Sequence, residues 1–226
     1  MADDGGRPTQ RIAVLASGGL DSCVLVADLA KSAQVYPIYV SKGLAWEESE
    51  RAALAAFLAA LHDPNVHPLT TLSVPMRDVY GAHWSISGGD DVPRADDPDE
   101  KVFLPGRNVL LIGLTAVWCS THGVSDIAIG SLGGNPFPDA TPEFFQRFGD
   151  LLSDALAHPI SIRAPYRGLH KEDIIRGHAA LPLELTLTCM APFQGKHCGK
   201  CNKCFERQSA FTAAGVPDGT AYAWRA

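Results

Sequence analysis

The chain has 226 residues, of which 46% are hydrophobic and 19% are charged, and this composition is ordinary for a globular enzyme with a buried core. Its formal net charge of −6 argues against binding of bulk nucleic acid and favours a small-molecule substrate. No apolar run approaches the length of a membrane span, and the polar residues 1–10 are predicted to form a flexible tail without a signal-peptide core, so we expect a cytoplasmic protein with no membrane partner.

The first predicted strand, residues 12–16, leads directly into a Ser-Gly-Gly-Leu-Asp-Ser segment, and an alanine-rich helix is predicted over residues 20–30. Two glycines at this junction let the backbone turn tightly and come close to a ligand. Free N–H groups at a helix N-terminus attract an anion such as phosphate, and the two serines add hydroxyl donors. The aspartate supplies a carboxylate that could hold a hydrated metal ion or brace the loop. The junction therefore predicts a phosphate-binding site.

This segment resembles the pyrophosphate loop, S-G-G-x-D-S, of enzymes that cleave ATP at the α-phosphate and release pyrophosphate. It matches neither G-x-x-x-x-G-K-[ST] nor G-x-G-x-x-G, the two usual phosphate-binding patterns. The resemblance implies that ATP is bound by Ala16, Ser17, Gly18, Gly19, Leu20, Asp21 and Ser22. The alternative is an ordinary strand-to-helix turn in which a serine caps the helix.

Further along the chain, apolar runs alternate with helical patterns, which is typical of parallel βαβ units. The other strands are predicted over residues 35–40, 66–74, 126–129 and 160–162. The other helices are predicted over residues 47–61, 107–121, 143–156 and 171–177. The sequence therefore predicts an α/β fold with a Rossmann-like, doubly wound parallel sheet of about five strands. Ligands bind beyond the carboxyl ends of such strands, so we expect the loops over residues 41–46 and 131–141 to border the nucleotide.

Residues 75–105 are rich in glycine, proline and aspartate and are too long for an ordinary connection, so we predict a functional insertion or lid. No internal repeat or flexible linker divides the rest of the chain. We expect an ATP-binding domain over residues 11–186 and a small C-terminal zinc-binding segment over residues 187–226.

That C-terminal segment contains four cysteines with C-x8-C-x2-C-x2-C spacing: Cys189, Cys198, Cys201 and Cys204. Four thiolates suit a closed tetrahedral zinc site, which stabilises a segment too short to bury a core of its own. An iron–sulfur cluster is the alternative, because C-x2-C-x2-C also begins the bacterial ferredoxin pattern, although the C-x3-C-P ligand is missing here. Lys196, His197, Lys200 and Lys203 are expected to offset part of the thiolate charge. His197 could replace one sulfur but is expected to face solvent. Cys23 and Cys119 lie in apolar helical patterns and are predicted to be core residues.

Four blocks of the sequence together resemble the 7-cyano-7-deazaguanine synthase family of the queuosine pathway. They are the loop at residues 17–22, the F-L-P-G-R-N segment at 103–108, the F-P-D and P-E-F segments within 137–144, and the cysteine-containing segment at 187–207. Residues 169–172 also sit where that family has an L-x-K-x-E element. The resemblance covers nearly the whole chain.

The resemblance implies an adenine nucleotide α-hydrolase-like fold and an ATP-dependent ligase. That family converts 7-carboxy-7-deazaguanine and ammonia, through an adenylate and an amide, to the nitrile. It implies ATP, Mg²⁺ and Zn²⁺ as cofactors and, by analogy, a homodimer without a stable nucleic-acid partner. The implied catalytic residues are Asp21, Ser22 and Lys171; Arg107 and Asn108 are expected to bind ATP, and Lys42, Arg107 and Asp139 to bind the acid.

The same residues have simpler interpretations. Arg107 could pair with a surface acid, and Asn108 could be a helix N-cap. Asp139 could be a turn residue before a helix, and Lys171 could be solvated in a first helical turn.

Two loops depart from the family pattern. The chain reads S-K-G-L-A-W at residues 41–46, where the family has a Q-R-H segment, and it reads G-G-N-P-F-P-D at residues 133–139, where the family has E-T-D-x-S-G-Y-P-D. Thr141 replaces an expected arginine. Two alternatives follow: a related amide or nitrile synthase that acts on another carboxylate, carried by a specialised metabolite or a protein, and a non-catalytic ATP sensor or zinc-knuckle interaction module.

Overall fold

The apolar runs form one parallel sheet in the computed structural model, which describes residues 9–224. Its strands are β1 (Arg11–Leu15), β2 (Gln34–Ser41), β3 (Thr70–Ser73), β4 (Asp126–Ile129) and β5 (Ser161–Arg163). The strand order is β3-β2-β1-β4-β5, and every neighbouring pair is parallel. The predicted Rossmann-like sheet of five strands is therefore confirmed. Residues 1–8 of the predicted N-terminal tail lie outside the described residues.

Eight α-helices accompany the sheet within residues 9–224. They are α1 (Leu20–Ala30), α2 (Glu47–Leu61), α3 (Arg77–Tyr80), α4 (Trp84–Ser87), α5 (Arg107–His122), α6 (Pro142–Leu156), α7 (Lys171–Gly177) and α8 (Asn202–Ala214). No helix of this part of the chain is long and apolar enough to cross a membrane. Helix α8 was not predicted, because the metal-ligand spacing at its start hides the apolar periodicity that identifies a helix.

Helices cover both faces of the sheet, which explains why the central strands are apolar on both sides. On one face, α1 packs with α7 and α8 through a cluster that includes Leu25, Ile174 and Phe211. On the other face, α5 and α6 pack through a cluster that includes Ile112 and Phe145. Cys23 belongs to the first cluster and Cys119 to the second, and both are fully buried. Their predicted role as core residues is confirmed.

A third apolar cluster joins the four cysteines near the C-terminus to the long excursion between β3 and α5. The excursion contains α3, α4 and two 3-10 turns. The Pro93 carbonyl accepts the Asn202 N–H at 3.0 Å, and Arg94 forms a β-bridge with Cys201. At its other end, the Ser85 carbonyl accepts the Ala45 N–H at 2.9 Å. The excursion therefore connects the loop after β2 to the cysteine segment.

Candidate active site

The loop between β1 and α1 is held against α2 by a contact that only glycine allows. Gly18 has φ of +80°, and a Cβ atom there would come within 2.5 Å of the Glu50 carbonyl oxygen. The Gly18 carbonyl accepts the Leu187 N–H at 2.7 Å, so the loop also contacts the C-terminal segment. These contacts fix the loop between two other elements of the fold.

Two serine hydroxyls brace the loop from inside. The Ser22 hydroxyl donates to the Gly19 carbonyl at 3.0 Å and accepts the Ser17 N–H at 3.1 Å, and the two hydroxyl oxygens are 3.2 Å apart. The N-cap of α1 is Gly19, which has no side chain to cap the helix. The alternative of a serine-capped turn is therefore wrong, and the first-turn N–H groups have no capping side chain to compete with an anion.

Acidic and basic side chains meet beside this loop. Lys171 Nζ lies 3.4 Å from Asp21 Oδ2 and forms an ion pair with Glu206 on α8. Burial by itself lowers the pKa of Lys171, but the two carboxylates raise it above its usual range, so the side chain is an ammonium ion. Burial raises the pKa of Asp21, against the effect of Lys171. Asp21 Oδ1 is buried and has no hydrogen-bond partner, so it is free to hold a cation.

The loop forms one wall of a cleft of about 540 Å³ at the carboxyl ends of the strands, a volume typical of small-molecule sites. Of the predicted ATP-binding residues, those that line this cleft are Ala16, Ser17, Gly19, Asp21, Ser22, Arg107 and Asn108. The predicted substrate residues Lys42 and Asp139 and the predicted catalytic Lys171 line it too. Gly18 packs against α2 instead, and Leu20 is fully buried in the apolar core.

Asn108 and Asp139 bind each other across the cleft wall. Asp139 Oδ2 accepts the Asn108 backbone N–H at 3.0 Å, and Asn108 Nδ2 donates to the Asp139 carbonyl at 2.9 Å. The N-cap of α5 is Gly106, so the alternative of Asn108 as an N-cap is wrong; the Asp139 carboxylate instead satisfies one N–H of this helix end. Among the described residues, Asp139 Oδ1 accepts only a long 3.4 Å contact from Asn108 Nδ2.

Arg107 extends into the same cleft from the first turn of α5. Within residues 9–224, no ion pair is formed by its guanidinium group, so the alternative of a surface ion pair is not supported. A guanidinium group without a carboxylate partner can bind a carboxylate or phosphate through two hydrogen bonds.

A half-buried acid, Glu50, and a buried base, Lys42, influence each other's charge at the β2 end of the cleft. Lys42 Nζ donates to the Val40 carbonyl at 2.9 Å, and burial lowers the pKa of this lysine to about 8. Glu50 accepts hydrogen bonds from Trp46 Nε1 at 2.9 Å and from the Tyr39 hydroxyl at 3.0 Å, and burial raises its pKa. Glu50 is not predicted from the sequence, because it lies in an acidic first turn of α2 that is also typical of a solvated helix end.

Two aromatic pairs complete the cleft, and each joins the excursion to another wall. The rings of Trp46 and Trp84 are stacked with centroids 5.7 Å apart, and those of Phe103 and Phe137 are tilted with centroids 4.8 Å apart. All four side chains line the cleft. The loops at residues 41–46 and 131–141 thus border it as predicted, and the predicted insertion supplies two of the four rings. Flat apolar walls of this kind suit a planar heterocycle.

The four cysteines converge as their spacing predicts. All four sulfur atoms are buried and lie within 4.8 Å of one another. The Cys198–Cys204 and Cys189–Cys201 sulfur distances are 3.9 and 4.0 Å, close to the roughly 3.8 Å between thiolates around a tetrahedral zinc ion. Backbone N–H groups donate to three of the sulfurs, which favours thiolates. The cluster therefore fits a metal ion.

One expectation for the neighbours of these cysteines is wrong. His197 is buried, not solvent-facing, because its Nε2 accepts the Thr188 N–H at 3.2 Å and its ring packs edge-on against Tyr222. Lys200 and Lys203 contact different parts of the molecule. Lys200 lies over the Trp224 ring, 4.6 Å from its centroid, whereas Lys203 lines the cleft.

Known proteins resemble this chain over nearly its whole length. A family model described as "Queuosine biosynthesis protein QueC" matches residues 11–215. The chain is 32% identical to the 7-cyano-7-deazaguanine synthase of Pseudomonas savastanoi pv. phaseolicola, over 94% of this chain and 96% of that protein. It is 32% identical to the enzyme of the same name from Myxococcus xanthus, over 94% of this chain and 97% of that protein.

Solved structures are more distant. The U34-tRNA thiolase NcsA from Methanococcus maripaludis, solved with its 4Fe-4S cluster, is 13% identical with a TM-score of 0.49, and the match covers 92% of this chain and 67% of that one. A similarity of this size carries no conclusion about function.

Proposed function

Because the chain belongs to the QueC family of queuosine biosynthesis proteins, we propose that it is an ATP-dependent carbon–nitrogen ligase that makes 7-cyano-7-deazaguanine. Its substrates are 7-carboxy-7-deazaguanine, ammonia and ATP. The alternatives drawn from the sequence, an enzyme for another carboxylate and a non-catalytic sensor, have no observation of the site in their favour. A tRNA-modifying role would need a basic nucleic-acid surface, and the net charge of −6 argues against one.

One observation carries the proposal: segments far apart in the sequence meet in a single cleft. Asp21 comes from the first turn of α1, Arg107 from α5, Asp139 from the turn before α6, and Lys171 from α7. A carboxylate with an unpartnered oxygen and an ammonium group thus lie beside the loop at residues 16–22, which we call the phosphate loop. The Arg107 guanidinium, which forms no ion pair within residues 9–224, lines the same cleft as the two aromatic pairs. This arrangement offers binding groups for both a triphosphate and a planar carboxylic acid.

We assign the recognition of the acid to the far wall of the cleft. Arg107 and Lys42 are the cations that would bind its carboxylate. The guanine-like edge of a deazapurine presents adjacent N–H donors, and Asp139 Oδ1 is an acceptor with only one long contact. Phe103 and Phe137 contact each other, line the same cleft as Asp139, and would pack against the ring.

The first half of the reaction makes an amide. An oxygen of the substrate carboxylate attacks the α-phosphorus of ATP, and pyrophosphate leaves, which gives an acyl-adenylate. Ammonia then attacks the carbonyl carbon, AMP leaves with that oxygen, and nitrogen loses a proton. No nucleophilic side chain is required, so positioning and neutralisation of charge supply most of the catalysis. Lys171 neutralises charge that develops on the leaving pyrophosphate.

The second half makes the nitrile. The amide oxygen attacks the α-phosphorus of a second ATP and pyrophosphate leaves again. AMP then leaves with the oxygen that came from the amide, the nitrogen loses its two protons, and a carbon–nitrogen triple bond remains. Both halves use the same groups, because each is an attack of oxygen on an α-phosphorus followed by departure of AMP.

Two metal ions belong to this proposal. Mg²⁺ would neutralise phosphate charge, and Asp21 is the residue that we expect to hold it, because its Oδ1 atom is buried without a partner. Zn²⁺ would be held by the four cysteines, whose sulfur spacing fits a tetrahedral ion. Analysis of the purified protein by inductively coupled plasma mass spectrometry distinguishes zinc from iron.

The setting of the enzyme follows from this chemistry. ATP supply and reduced thiols are properties of the cytoplasm, and we place the enzyme there. A homodimer is proposed by analogy with the family, and light scattering coupled to size-exclusion chromatography measures it.

The test is to incubate the protein with ATP, Mg²⁺, ammonium and 7-carboxy-7-deazaguanine and to follow the products by mass spectrometry. We expect the amide first and then the nitrile, with AMP and pyrophosphate. Asp21→Asn should lower the rate by at least about 100-fold, since it removes the charge that holds the cation. Asp150→Asn, which changes an acid on the exposed side of α6, is the matched control and should leave the rate unchanged. Turnover of ATP on another acid, without amide or nitrile from this one, would contradict the substrate.

A further inference from the structure

The cysteine segment does more than close a metal site, because one of its lysines enters the ATP cleft. Lys203 lies between the metal-ligand candidates Cys201 and Cys204, in the first turn of α8. Its side chain lines the cleft together with Asp21 and Lys171. A bound metal would thus fix the backbone from which this ammonium group extends.

Glu206 connects this lysine to the predicted catalytic one. Lys203 Nζ donates to Glu206 Oε2 at 2.6 Å, and Glu206 Oε1 accepts from Lys171. The carboxylate therefore bridges two ammonium groups, one from α7 and one from α8. Asp21 makes the second contact to Lys171, at 3.4 Å. These four charges form one continuous cluster beside the phosphate loop.

The hydrogen-bond capacity of the two lysines is unequal. An ammonium group has three N–H donors. Lys171 directs one to Glu206 and faces Asp21 with a second, whereas Glu206 is the only acceptor of Lys203 Nζ within residues 9–224. Lys203 thus has two N–H groups for a ligand, and Lys171 has one. Lys203, which has more unused N–H donors than Lys171, belongs to the segment that contains the four cysteines.

From this arrangement we infer that Lys203 binds the β- and γ-phosphates of ATP and the pyrophosphate product, with Glu206 as the residue that positions it. The inference rests on the proposed use of ATP. It gives the metal site a part in catalysis that a purely structural knuckle lacks: the segment that holds the ion also supplies a cation to the leaving group. Charge-assisted hydrogen bonds of this kind are stronger than neutral ones.

The test measures binding of Mg²⁺–pyrophosphate, Mg²⁺–ATP and AMP to the full-length, metal-loaded protein by isothermal titration calorimetry. Lys203→Met should weaken pyrophosphate and ATP binding by at least about 10-fold, equivalent to 1.4 kcal/mol, and should leave AMP affinity within about twofold. Lys203→Arg should restore pyrophosphate affinity to within about threefold of wild type, because it keeps the charge. Metal content by mass spectrometry verifies that each variant keeps its ion.

Lys200→Met is the matched control. It removes the same charge from the same segment, but Lys200 lies over Trp224 and does not line the cleft. Its pyrophosphate affinity should stay within about twofold of wild type. Equal losses in the Lys200 and Lys203 variants would overturn the inference, as would unchanged pyrophosphate binding by Lys203→Met or failure of Lys203→Arg to restore it.

A double-mutant cycle tests the part assigned to Glu206. If Glu206 acts by positioning Lys203, Glu206→Gln should weaken pyrophosphate binding in the wild-type chain and have a smaller effect in the Lys203→Met background. Additive losses would overturn the positioning role. The proposed function can fail separately from this inference. A wild-type protein that binds pyrophosphate but makes no deazaguanine amide would refute the proposed acid substrate, and the role of Lys203 would then be decided by the binding measurements alone. A wild-type protein that binds neither ATP nor pyrophosphate would overturn both the proposed function and the role of Lys203.

Discussion

At Gly18 the shape of the phosphate loop depends on the absence of a single carbon atom. The positive φ is a conformation that L side chains rarely adopt, and the Glu50 carbonyl fills the space that a Cβ would need. Relief of that overlap would move the loop away from α2 or α2 away from the sheet. Either movement would displace Glu50, which lines the cleft.

Gly18→Ala should therefore destabilise the protein by about 2–4 kcal/mol, from the strained backbone and the overpacking together. Unfolding in denaturant measures this free energy. Gly43→Ala is the control, because Gly43 also has a positive φ, of +76°, but nothing within 4 Å of its missing Cβ. It should cost only about 1–2 kcal/mol. Equal losses in the two variants would show that the contact with Glu50 carries no energy.

The proposed binding of the acid by Lys42 predicts a pH dependence. Burial lowers its pKa to about 8, so the ammonium form disappears as the pH rises through that value, and with it the attraction for a carboxylate. The dissociation constant of 7-carboxy-7-deazaguanine, measured by calorimetry without ATP or ammonia, should rise roughly tenfold per pH unit above about pH 8.

In Lys42→Met the affinity should be weak at every pH and the slope should vanish. Lys31→Met, at an exposed position at the end of α1, should keep the wild-type slope. An affinity for the acid that does not change between about pH 7 and about pH 9.5 in the wild type would refute the role of Lys42.

At the scale of secondary-structure elements, the excursion between β3 and α5 and helix α8 stabilise each other. The excursion meets the cysteine segment through the Arg94–Cys201 bridge and the Asn202 N–H bond to Pro93, and it shares an apolar cluster with all four cysteines. The same excursion carries Trp84 and Phe103 into the cleft. A change at the cysteines should therefore reach the cleft through the excursion.

Removal of the metal should loosen the excursion while the sheet stays intact. After treatment with a chelator, amide hydrogen exchange should speed up by at least about 10-fold around Arg94 and in the first turn of α8, because the segment loses the ion that holds its four sulfurs together. The amides of β1 are the internal control and should keep their protection. Unchanged exchange in the excursion, with the metal verified as absent, would contradict this dependence.

The prediction of elements from sequence succeeded where one apolar pattern dominates. The bounds of α1, α2, β4 and α7 agree with the predictions, because each has a clear period and a distinct start or end. Helix α8 was missed since it starts among the metal-ligand candidates, with Cys201 as its N-cap and Cys204 in its first turn. Strand β3 is shorter than predicted because residues 66–69 leave the sheet after a single bridge at Val66.

At the scale of the whole molecule, the site divides into residues that a local motif identifies and residues that only packing brings together. The phosphate loop, Arg107 and the four cysteines belong to the first kind. Glu50 and Glu206 belong to the second, because each acts on a partner distant in sequence or in another element. From the sequence, Lys203 is predicted to lie beside the cysteines. That its side chain lines the cleft is visible only in the structure.

The central claim is that one cleft activates the deazaguanine acid by transferring AMP to its carboxylate. The most direct measurement follows ¹⁸O from a labelled carboxylate of 7-carboxy-7-deazaguanine during turnover with ATP and ammonium. We predict nitrile as the product and ¹⁸O in AMP, with none in pyrophosphate, because oxygen leaves carbon only as part of AMP. Label in pyrophosphate or in inorganic phosphate, or nitrile formation without label in AMP, would contradict the account.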